Sequence, residues 1–344
     1  MTASLLLSPE AWRAAGSHFE YRGQRIFYRD SGASAKPALL LIHGFPTASW
    51  DWHTLWDGLS ARFRLIAPDM IGFGFSAKPR GYGYSIHDQA DLHAALCARL
   101  GVSEVHVLAH DYGVSVAQEL LARNESALLP PLLAGEGRGG GVPAQAESRH
   151  PPAFGRIGTD SMSVPLEPNA PPQAVGGVLK LLSIAFLNGG LFPETHRPRS
   201  VQKLLLSPLG PLVSRLMNER SFRKSFSAVF GPDTKPGDAE LRSFWALIAY
   251  NDGGRIMHEL IRYILDRRQH RERWLAAMQK TAVPLRVING PVDPVSGAHM
   301  VARYRELIPN PDTVSLPGIG HYPQVEAPQA VLDAFLQFHD SRLP

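Results

Sequence analysis

Cysteine is almost absent from this chain. Cys97 is its only cysteine, so an internal disulfide is excluded. No cysteine or histidine spacing typical of a zinc site occurs, and the sequence predicts neither a metal nor an organic cofactor. Because proteins without disulfides are typical of reducing compartments, we expect a cytoplasmic location.

Long apolar runs and blocks of one charge sign are also missing. The N-terminus lacks the basic start and the apolar stretch of a signal peptide. The longest apolar region, residues 178–192, is interrupted by Lys180, Asn188 and two glycines and is shorter than the roughly 20 residues of a membrane span. The chain has 35 basic and 31 acidic residues, and no basic block is interleaved with aromatics. The composition therefore predicts no transmembrane segment and no nucleic-acid partner.

The most informative motif is His110-Asp111-Tyr112-Gly113. It follows the apolar run of residues 105–109 and precedes the amphipathic helical pattern of residues 114–121. An acid on such a turn could simply cap the helix. The motif also matches the pattern of the nucleophile elbow of an α/β-hydrolase, with Asp111 in place of serine. A carboxylate nucleophile can displace a leaving group from saturated carbon and form an alkyl ester.

Strand and helix patterns alternate along the first part of the chain. Apolar runs predict strands at 38–42, 63–67 and 105–109, and a helix is predicted over 85–100. Residues 18–30 alternate around Gly23, which predicts a β-hairpin. The alternation indicates an α/β fold, a mostly parallel sheet with helices on both faces.

Composition divides the chain into three predicted regions. Residues 1–127, 178–190 and 276–344 are expected to form the α/β-hydrolase core. Residues 128–177 are rich in glycine and proline without apolar periodicity, which predicts a disordered insertion. Residues 191–275 show helical patterns that do not alternate with strands and predict an inserted helical cap.

Three polar residues each follow a predicted strand, in the chain order Asp111, Asp293, His321. These strands are the apolar runs at 105–109, 284–289 and 313–316. Asp293 before a proline could initiate a turn, and His321 lies in a glycine-rich loop. Their order is nevertheless that of the nucleophile, acid and histidine of an α/β-hydrolase triad. Ser115 lies past the elbow, inside the helix, so a serine esterase is the least favoured interpretation.

The turn 43–46 supplies a candidate oxyanion hole. It follows a buried strand, and the backbone N–H groups of Phe45 and Tyr112 are predicted to face the site together. Pro46 fixes the turn without donating a hydrogen bond. We also expect His43, which opens the turn, to contact substrate.

The motifs HGFP, HDYG, the Asp293 turn and GIGHYP resemble the epoxide hydrolase and haloalkane dehalogenase branch of the α/β-hydrolases. The stretches HDYG, NGGLFPETHRP, GPVDPV and HYPQVE are similar to the mesoderm-specific transcript family and its bacterial members. The resemblance implies cap tyrosines that protonate an epoxide oxygen. Tyr263 matches that position and Tyr250 is a second candidate, although Tyr263 could equally pack inside a cap helix. The first cap tyrosine of the family has no counterpart between residues 191 and 230.

The favoured hypothesis is hydrolysis of an epoxide to a diol through an ester on Asp111, with a small hydrophobic molecule as substrate. Haloalkane dehalogenation is an alternative, although Tyr112 stands where those enzymes usually carry tryptophan. A catalytically degenerate binding protein is the second alternative, and the complete triad argues against it. The sequence leaves the oligomeric state open.

Overall fold

A single mixed β-sheet organises the described residues of the computed structural model, which are 7–32, 35–128 and 178–341. The predicted insertion of residues 128–177 lies, from residue 129 onward, outside these residues. The strands are β1 (Ser17–Tyr21), β2 (Gln24–Asp30), β3 (Ala38–Ile42), β4 (Arg64–Pro68), β5 (Glu104–Ala109), β6 (Lys180–Phe186), β7 (Leu285–Asn289) and β8 (Thr313–Ser315).

The spatial order of the strands is β1-β2-β4-β3-β5-β6-β7-β8. Strands β1 and β2 form the predicted hairpin, and Tyr21 pairs with Gln24 across a two-residue turn. The turn residues Arg22 and Gly23 both have positive φ, 49° and 71°, which suits the twist of a tight hairpin. From β4 to β8 the neighbouring strands are parallel, so their carboxyl ends meet at one edge. The expected α/β-hydrolase architecture is confirmed.

Helices cover both faces of the sheet and fill the connection between β6 and β7. They are α1 (Pro9–Ala14), α2 (Trp56–Ser60), α3 (Ile86–Arg99), α4 (Tyr112–Leu128), α5 (Ser200–Leu205), α6 (Gly210–Leu216), α7 (Glu219–Ser227), α8 (Asp238–Ala249), α9 (Met257–Leu260), α10 (Tyr263–Gln269), α11 (Arg271–Lys280), α12 (Ala298–Leu307), α13 (Pro323–Glu326) and α14 (Pro328–Asp340). Short 3₁₀ turns occupy Ser49–Trp52, Pro193–Thr195 and Tyr250–Ile256. We call α5 to α11 the cap helices.

The core follows from the apolar patterns of the central strands. Every residue of β3 is buried, as expected for a parallel strand that is covered on both faces. The predicted strands and helices agree with the structure to within one residue at most ends. In the part of the chain that the structure describes, no helix is both long and apolar enough to cross a membrane.

Candidate active site

Asp111 stands on the sharp turn between β5 and α4. Its backbone is left-handed, with φ of 43°, a conformation that costs a residue with a side chain about 1–2 kcal/mol. Two hydrogen bonds hold the turn: the Asp111 N–H donates to the Asn188 carbonyl at 2.9 Å, and the Gly113 N–H donates to the His43 carbonyl at 3.1 Å. The strain is therefore fixed by neighbouring strands, as in a nucleophile elbow.

Gly113 makes the close approach of this turn to β3 possible. A Cβ at this position would lie 2.4 Å from the Ile42 carbonyl oxygen and 2.7 Å from that of His43. Backbone atoms of a buried strand cannot move aside, so a side chain is excluded. The glycine after the elbow is explained by this contact.

His321 and Asp293 form a tight buried pair beside the elbow. The Nδ1 atom of His321 lies 2.7 Å from Oδ2 of Asp293. The same oxygen accepts hydrogen bonds from Asn188 Nδ2 at 2.9 Å and from Ser296 Oγ at 2.7 Å, and Oδ1 accepts the Val295 N–H at 2.7 Å. Asp293 thus fixes the ring of His321 and directs the other ring nitrogen, Nε2, toward Asp111.

Electrostatics favour the charged form of both partners. Burial alone raises the pKa of Asp293, but the charge and hydrogen bond of His321, with the other donors, hold it well below its usual range. Burial alone lowers the pKa of His321, but Asp293 and, to a smaller extent, Asp111 raise it to about 9. At neutral pH the protonated form of His321 is therefore favoured, and its ring lies between Asp293 and Asp111.

The two carboxylate oxygens of Asp111 face different partners. Oδ2 accepts the backbone N–H of Phe45 at 3.1 Å. Oδ1 lies 3.9 Å from Nε2 of His321 and 3.5 Å from the hydroxyl of Tyr263. Phe45 is thus a donor at the predicted oxyanion hole, whereas a second donor from the Tyr112 backbone stays a prediction. The Tyr112 side chain is buried and packs against Tyr263, with ring centroids 4.4 Å apart.

Arg267 is a buried cation next to Asp111, and only 1% of its surface is exposed. Its Nε donates to Ser115 Oγ at 2.7 Å, and its Nη2 donates to the Asp111 carbonyl at 3.1 Å. The same Nη2 lies 3.7 Å from Oδ1 of Asp111. The guanidinium carbon lies 4.5 Å from the ring centroid of Tyr263, which stands one helical turn earlier on α10.

A cavity of about 500 Å³ opens onto Asp111 and His321. Its wall is mostly apolar and comes from the HGFP turn, the cap helices α5 to α7 and the loop that carries His321, including Phe45, Leu205, Val213, Phe222, Phe226 and Tyr322. A volume of this size accepts a small hydrophobic molecule.

Two residues that were expected to contact substrate lie elsewhere. His43 is buried; its Nε2 accepts the Met70 N–H at 3.0 Å and its Nδ1 lies 2.9 Å from the Gly44 carbonyl. Burial lowers the pKa of this ring to about 3, so His43 is a neutral residue that holds the turn. Tyr250 accepts a hydrogen bond from Arg13 at 2.9 Å and lines a different pocket. Neither His43 nor Tyr250 lines the cavity that opens onto Asp111, so the structure does not support the two expected contacts with substrate.

Three polar residues near the site were not recognised as site residues from the sequence. Besides Arg267, Asn188 joins the two acids, because its carbonyl accepts the Asp111 N–H and its amide donates to Asp293. Glu326 accepts the N–H groups of Gly320 and Tyr322 at 2.8 and 2.9 Å and so holds the loop on both sides of His321. Asn188 lies in the stretch NGG and Glu326 in the stretch HYPQVE. The similarity of these stretches to the family could have pointed to both residues.

Comparisons with known proteins agree with this fold. A family model described as alpha/beta hydrolase fold matches residues 37–130. The human (Homo sapiens) mesoderm-specific transcript homolog protein is 39% identical over 347 residues, covering 97% of this chain and 89% of that protein. The chain belongs to the mesoderm-specific transcript family of α/β-hydrolases.

The fold of this mesoderm-specific transcript family member is also similar to those of solved haloalkane dehalogenase and epoxide hydrolase structures. A loop variant of the haloalkane dehalogenase DbeA from Bradyrhizobium elkanii has a TM-score of 0.68 and 18% identity, covering 96% of this chain and 99% of that one. The epoxide hydrolase CorEH has a TM-score of 0.67 and 17% identity, covering 95% and 98%. At these identities the likeness shows the shared fold alone.

Proposed function

We propose that this protein hydrolyses epoxides through a covalent ester on Asp111. The observation that carries the proposal is that the two oxygens of the Asp111 carboxylate have different partners. Oδ2 accepts the Phe45 N–H, whereas Oδ1 faces Tyr263 and His321. Asp111 and His321 both line the apolar cavity. One oxygen is thus free to attack, and the other lies where negative charge develops later.

In the first step, Oδ1 of Asp111 attacks an epoxide carbon. The new bond joins Oδ1 to that carbon, and the bond from the carbon to the ring oxygen breaks. The ring oxygen takes the hydroxyl proton of Tyr263, whose phenol stays protonated because burial and the nearby Asp111 carboxylate raise its pKa. The phenolate then regains a proton from the imidazolium of His321.

The ester changes the electrostatics of His321. Part of its raised pKa comes from the negative charge of Asp111, and esterification removes that charge. His321, which has given its proton to Tyr263, therefore stays neutral and can accept a proton at Nε2, while Nδ1–H remains bonded to Asp293. The first half-reaction thus prepares the base for the second.

In the second step, neutral His321 removes a proton from water, and the oxygen of that water attacks Cγ of the ester. The negative charge develops on Oδ2, where the Phe45 N–H stabilises it; donors of this kind are worth roughly 3 kcal/mol each in comparable sites. The bond from Cγ to Oδ1 breaks, and Oδ1 leaves as part of the diol with the proton from His321. Asp111 keeps the water oxygen in its place, and the second proton of the water returns to His321.

The same nucleophile supports dehalogenation as a second candidate. A halide leaves without a proton and needs only nearby donors, and Tyr263 and Arg267 both lie within 4 Å of Oδ1 of Asp111. We favour the epoxide because a buried phenol beside the attacking oxygen is an acid that dehalogenation does not require.

Trapping the ester tests the proposal. His321→Gln should complete the first step and stall in the second, so mass spectrometry after incubation with styrene oxide should find one substrate mass added. Trypsin leaves Asp111 and Ser115 in one peptide, 100–123, so fragmentation must locate the adduct. Asp111→Asn with His321→Gln is the matched control and should remain unmodified.

A single turnover in heavy-oxygen water is the second measurement. Transfer through Asp111 gives a diol without the heavy isotope in the first turnover and labels the enzyme instead. A labelled diol in that turnover, or an adduct on Ser115, contradicts the ester mechanism.

A further inference from the structure

Five large apolar side chains stand exposed together on α5, α6 and the turn between them. They are Val201, Leu204, Leu209, Leu212 and Leu216, and we call them the cap patch. Leu209, Leu212 and Leu216 are 57%, 54% and 67% exposed. Only four other large apolar residues of the described ranges are comparably exposed, and they are scattered along the chain. A concentrated apolar surface of this kind marks an interaction site.

Helix α6 is fixed so that its apolar side faces outward. Ser214, on the opposite side, is buried and contacts His258 of α9, with its Oγ 3.1 Å from the His258 backbone N–H. Gly210 is also buried, and a Cβ there would lie 3.0 Å from Cβ of His258. Leu212 and Leu216 are four residues apart and therefore share the outer face.

The charge around the cap patch is predominantly positive. Residues 199–227 contain six lysines and arginines and one acid, Glu219. Among the basic residues, Lys203 and Arg215 lie on α5 and α6 themselves, and both are exposed. An apolar surface bordered by cations is complementary to anionic lipid headgroups above acyl chains.

Three residues of the cap patch also form part of the rim of the cavity that contains Asp111. Val201, Leu204 and Leu216 are exposed and line that cavity. A hydrophobic molecule dissolved in a lipid layer could therefore reach Asp111 along apolar surface.

We propose that the cap patch docks this protein on an anionic lipid surface, from which apolar substrate enters the cavity. The docking is peripheral: α5 and α6 are too short to span a bilayer, and their leucines enter the headgroup boundary. The basic residues around the cap patch provide the long-range attraction to the lipid surface, and the leucines of the cap patch provide the contact with it. The proposal does not depend on which bond the enzyme breaks.

Co-sedimentation of the full chain with vesicles tests the docking. Vesicles of phosphatidylcholine with phosphatidylglycerol should bind the protein, vesicles of phosphatidylcholine alone should bind it more weakly, and salt should reduce the difference. Leu212→Glu, which lies outside the cavity wall, should reduce the partition coefficient by at least about tenfold. Reversing Lys203 and Arg215 to Glu should reduce it by at least about fivefold per charge.

The chain offers matched controls on α10. Leu265 is an exposed leucine outside the cap patch, at 41%, and Leu265→Glu should bind vesicles like the wild type. Arg262, which precedes α10, and Arg268 are exposed basic residues outside the cap patch. Changing both to Glu is the control for the charge reversal and should leave vesicle binding like that of the wild type. Absence of vesicle binding, or equal losses in the controls, overturns the proposal. So does a dimer in light scattering that Leu212→Glu dissociates, because the cap patch would then pair two copies of the chain.

Discussion

Arg267 lies over the ring of Tyr263, with its guanidinium carbon 4.5 Å from the ring centroid. The two residues are one turn apart on α10, and neither is more than 1% exposed. In the proposed reaction, Tyr263 becomes a phenolate when the epoxide opens. A desolvated cation over an aromatic ring contributes about 2 kcal/mol, and a negative ring strengthens the attraction.

The first prediction concerns Arg267→Met. Loss of the cation should slow esterification of Asp111 by an epoxide about 30-fold, the rate equivalent of about 2 kcal/mol. Arg267→Lys keeps the charge and should recover part of the rate. Stopped-flow alkylation measures the effect, with thermal unfolding of each variant as the control for folding.

A double variant tests whether Arg267 acts through Tyr263. If it does, Arg267→Met should slow alkylation far less in a Tyr263→Phe background. Equal reductions of the alkylation rate in both backgrounds contradict that role.

The second prediction separates the two leaving groups through Tyr263→Phe. An epoxide oxygen needs a proton, so the variant should slow alkylation by about 10²–10⁴-fold, the usual span for a lost general acid. A bromoalkane needs none, and its alkylation rate should change little. Stopped-flow rates on one epoxide and one bromoalkane decide between them. Rapid bromoalkane turnover without epoxide activity makes the enzyme a dehalogenase.

The third prediction is a dependence of stability on pH through His321. Its pKa in the folded state is about 9, above the ordinary 6.5. The protonated form is favoured by folding, so the stabilisation is fully present below pH 6.5 and is lost as the pH rises through 9. Urea unfolding between pH 6 and 10 should show this loss in the wild type, and His321→Gln should lack it. Identical slopes in the two proteins refute the assignment.

The fold and the positions of Asp111, Asp293 and His321 could be predicted because their signals are local. Each strand is a short apolar run, and Asp111, Asp293 and His321 each follow a strand in the order that the fold requires. Parallel strands then bring their carboxyl ends together without further information.

The positions of three other residues could not be predicted in this way, because their neighbours come from distant segments of the chain. These residues are Arg267, Tyr250 and His43. Arg267 reads in the sequence as one of several surface basic residues, yet it is buried against Ser115, 152 positions away in the chain. Tyr250 packs beside Phe75 and Arg13. His43 opens the expected turn, but its ring is occupied by Met70 and Gly44. Local patterns carry no information about such contacts.

The fourth prediction tests the elbow through Gly113→Ala. The new Cβ would lie 2.4 Å from the Ile42 carbonyl, so β3 and the elbow must separate. We expect a loss of about 1–3 kcal/mol in the free energy of unfolding, as for overpacking of a core, together with loss of alkylation because Asp111 shifts. Gly83→Ala is the matched control, since a Cβ there has no neighbour within 4 Å. Chemical denaturation measures both variants, and a fully stable, active Gly113→Ala protein contradicts the close approach.

The last prediction concerns Glu326, which positions His321 without contacting the proposed reacting atoms. Its carboxylate accepts the N–H groups of Gly320, Tyr322 and Gly231, and its negative charge contributes to the raised pKa of His321. Glu326→Gln keeps the shape but removes the charge and one acceptor oxygen. The pKa of His321 should therefore fall, and the pH above which stability declines should be lower in the variant than in the wild type.

Hydrolysis of the trapped ester should also slow in Glu326→Gln, because the loop that holds the His321 ring is less constrained. NMR titration of the His321 ring measures the first effect and single-turnover hydrolysis the second. Gln329→Glu, on the exposed side of α14, is a control for charge at this end of the chain. An unchanged His321 titration in Glu326→Gln would show that Asp293 and Asp111 alone set the pKa of this histidine.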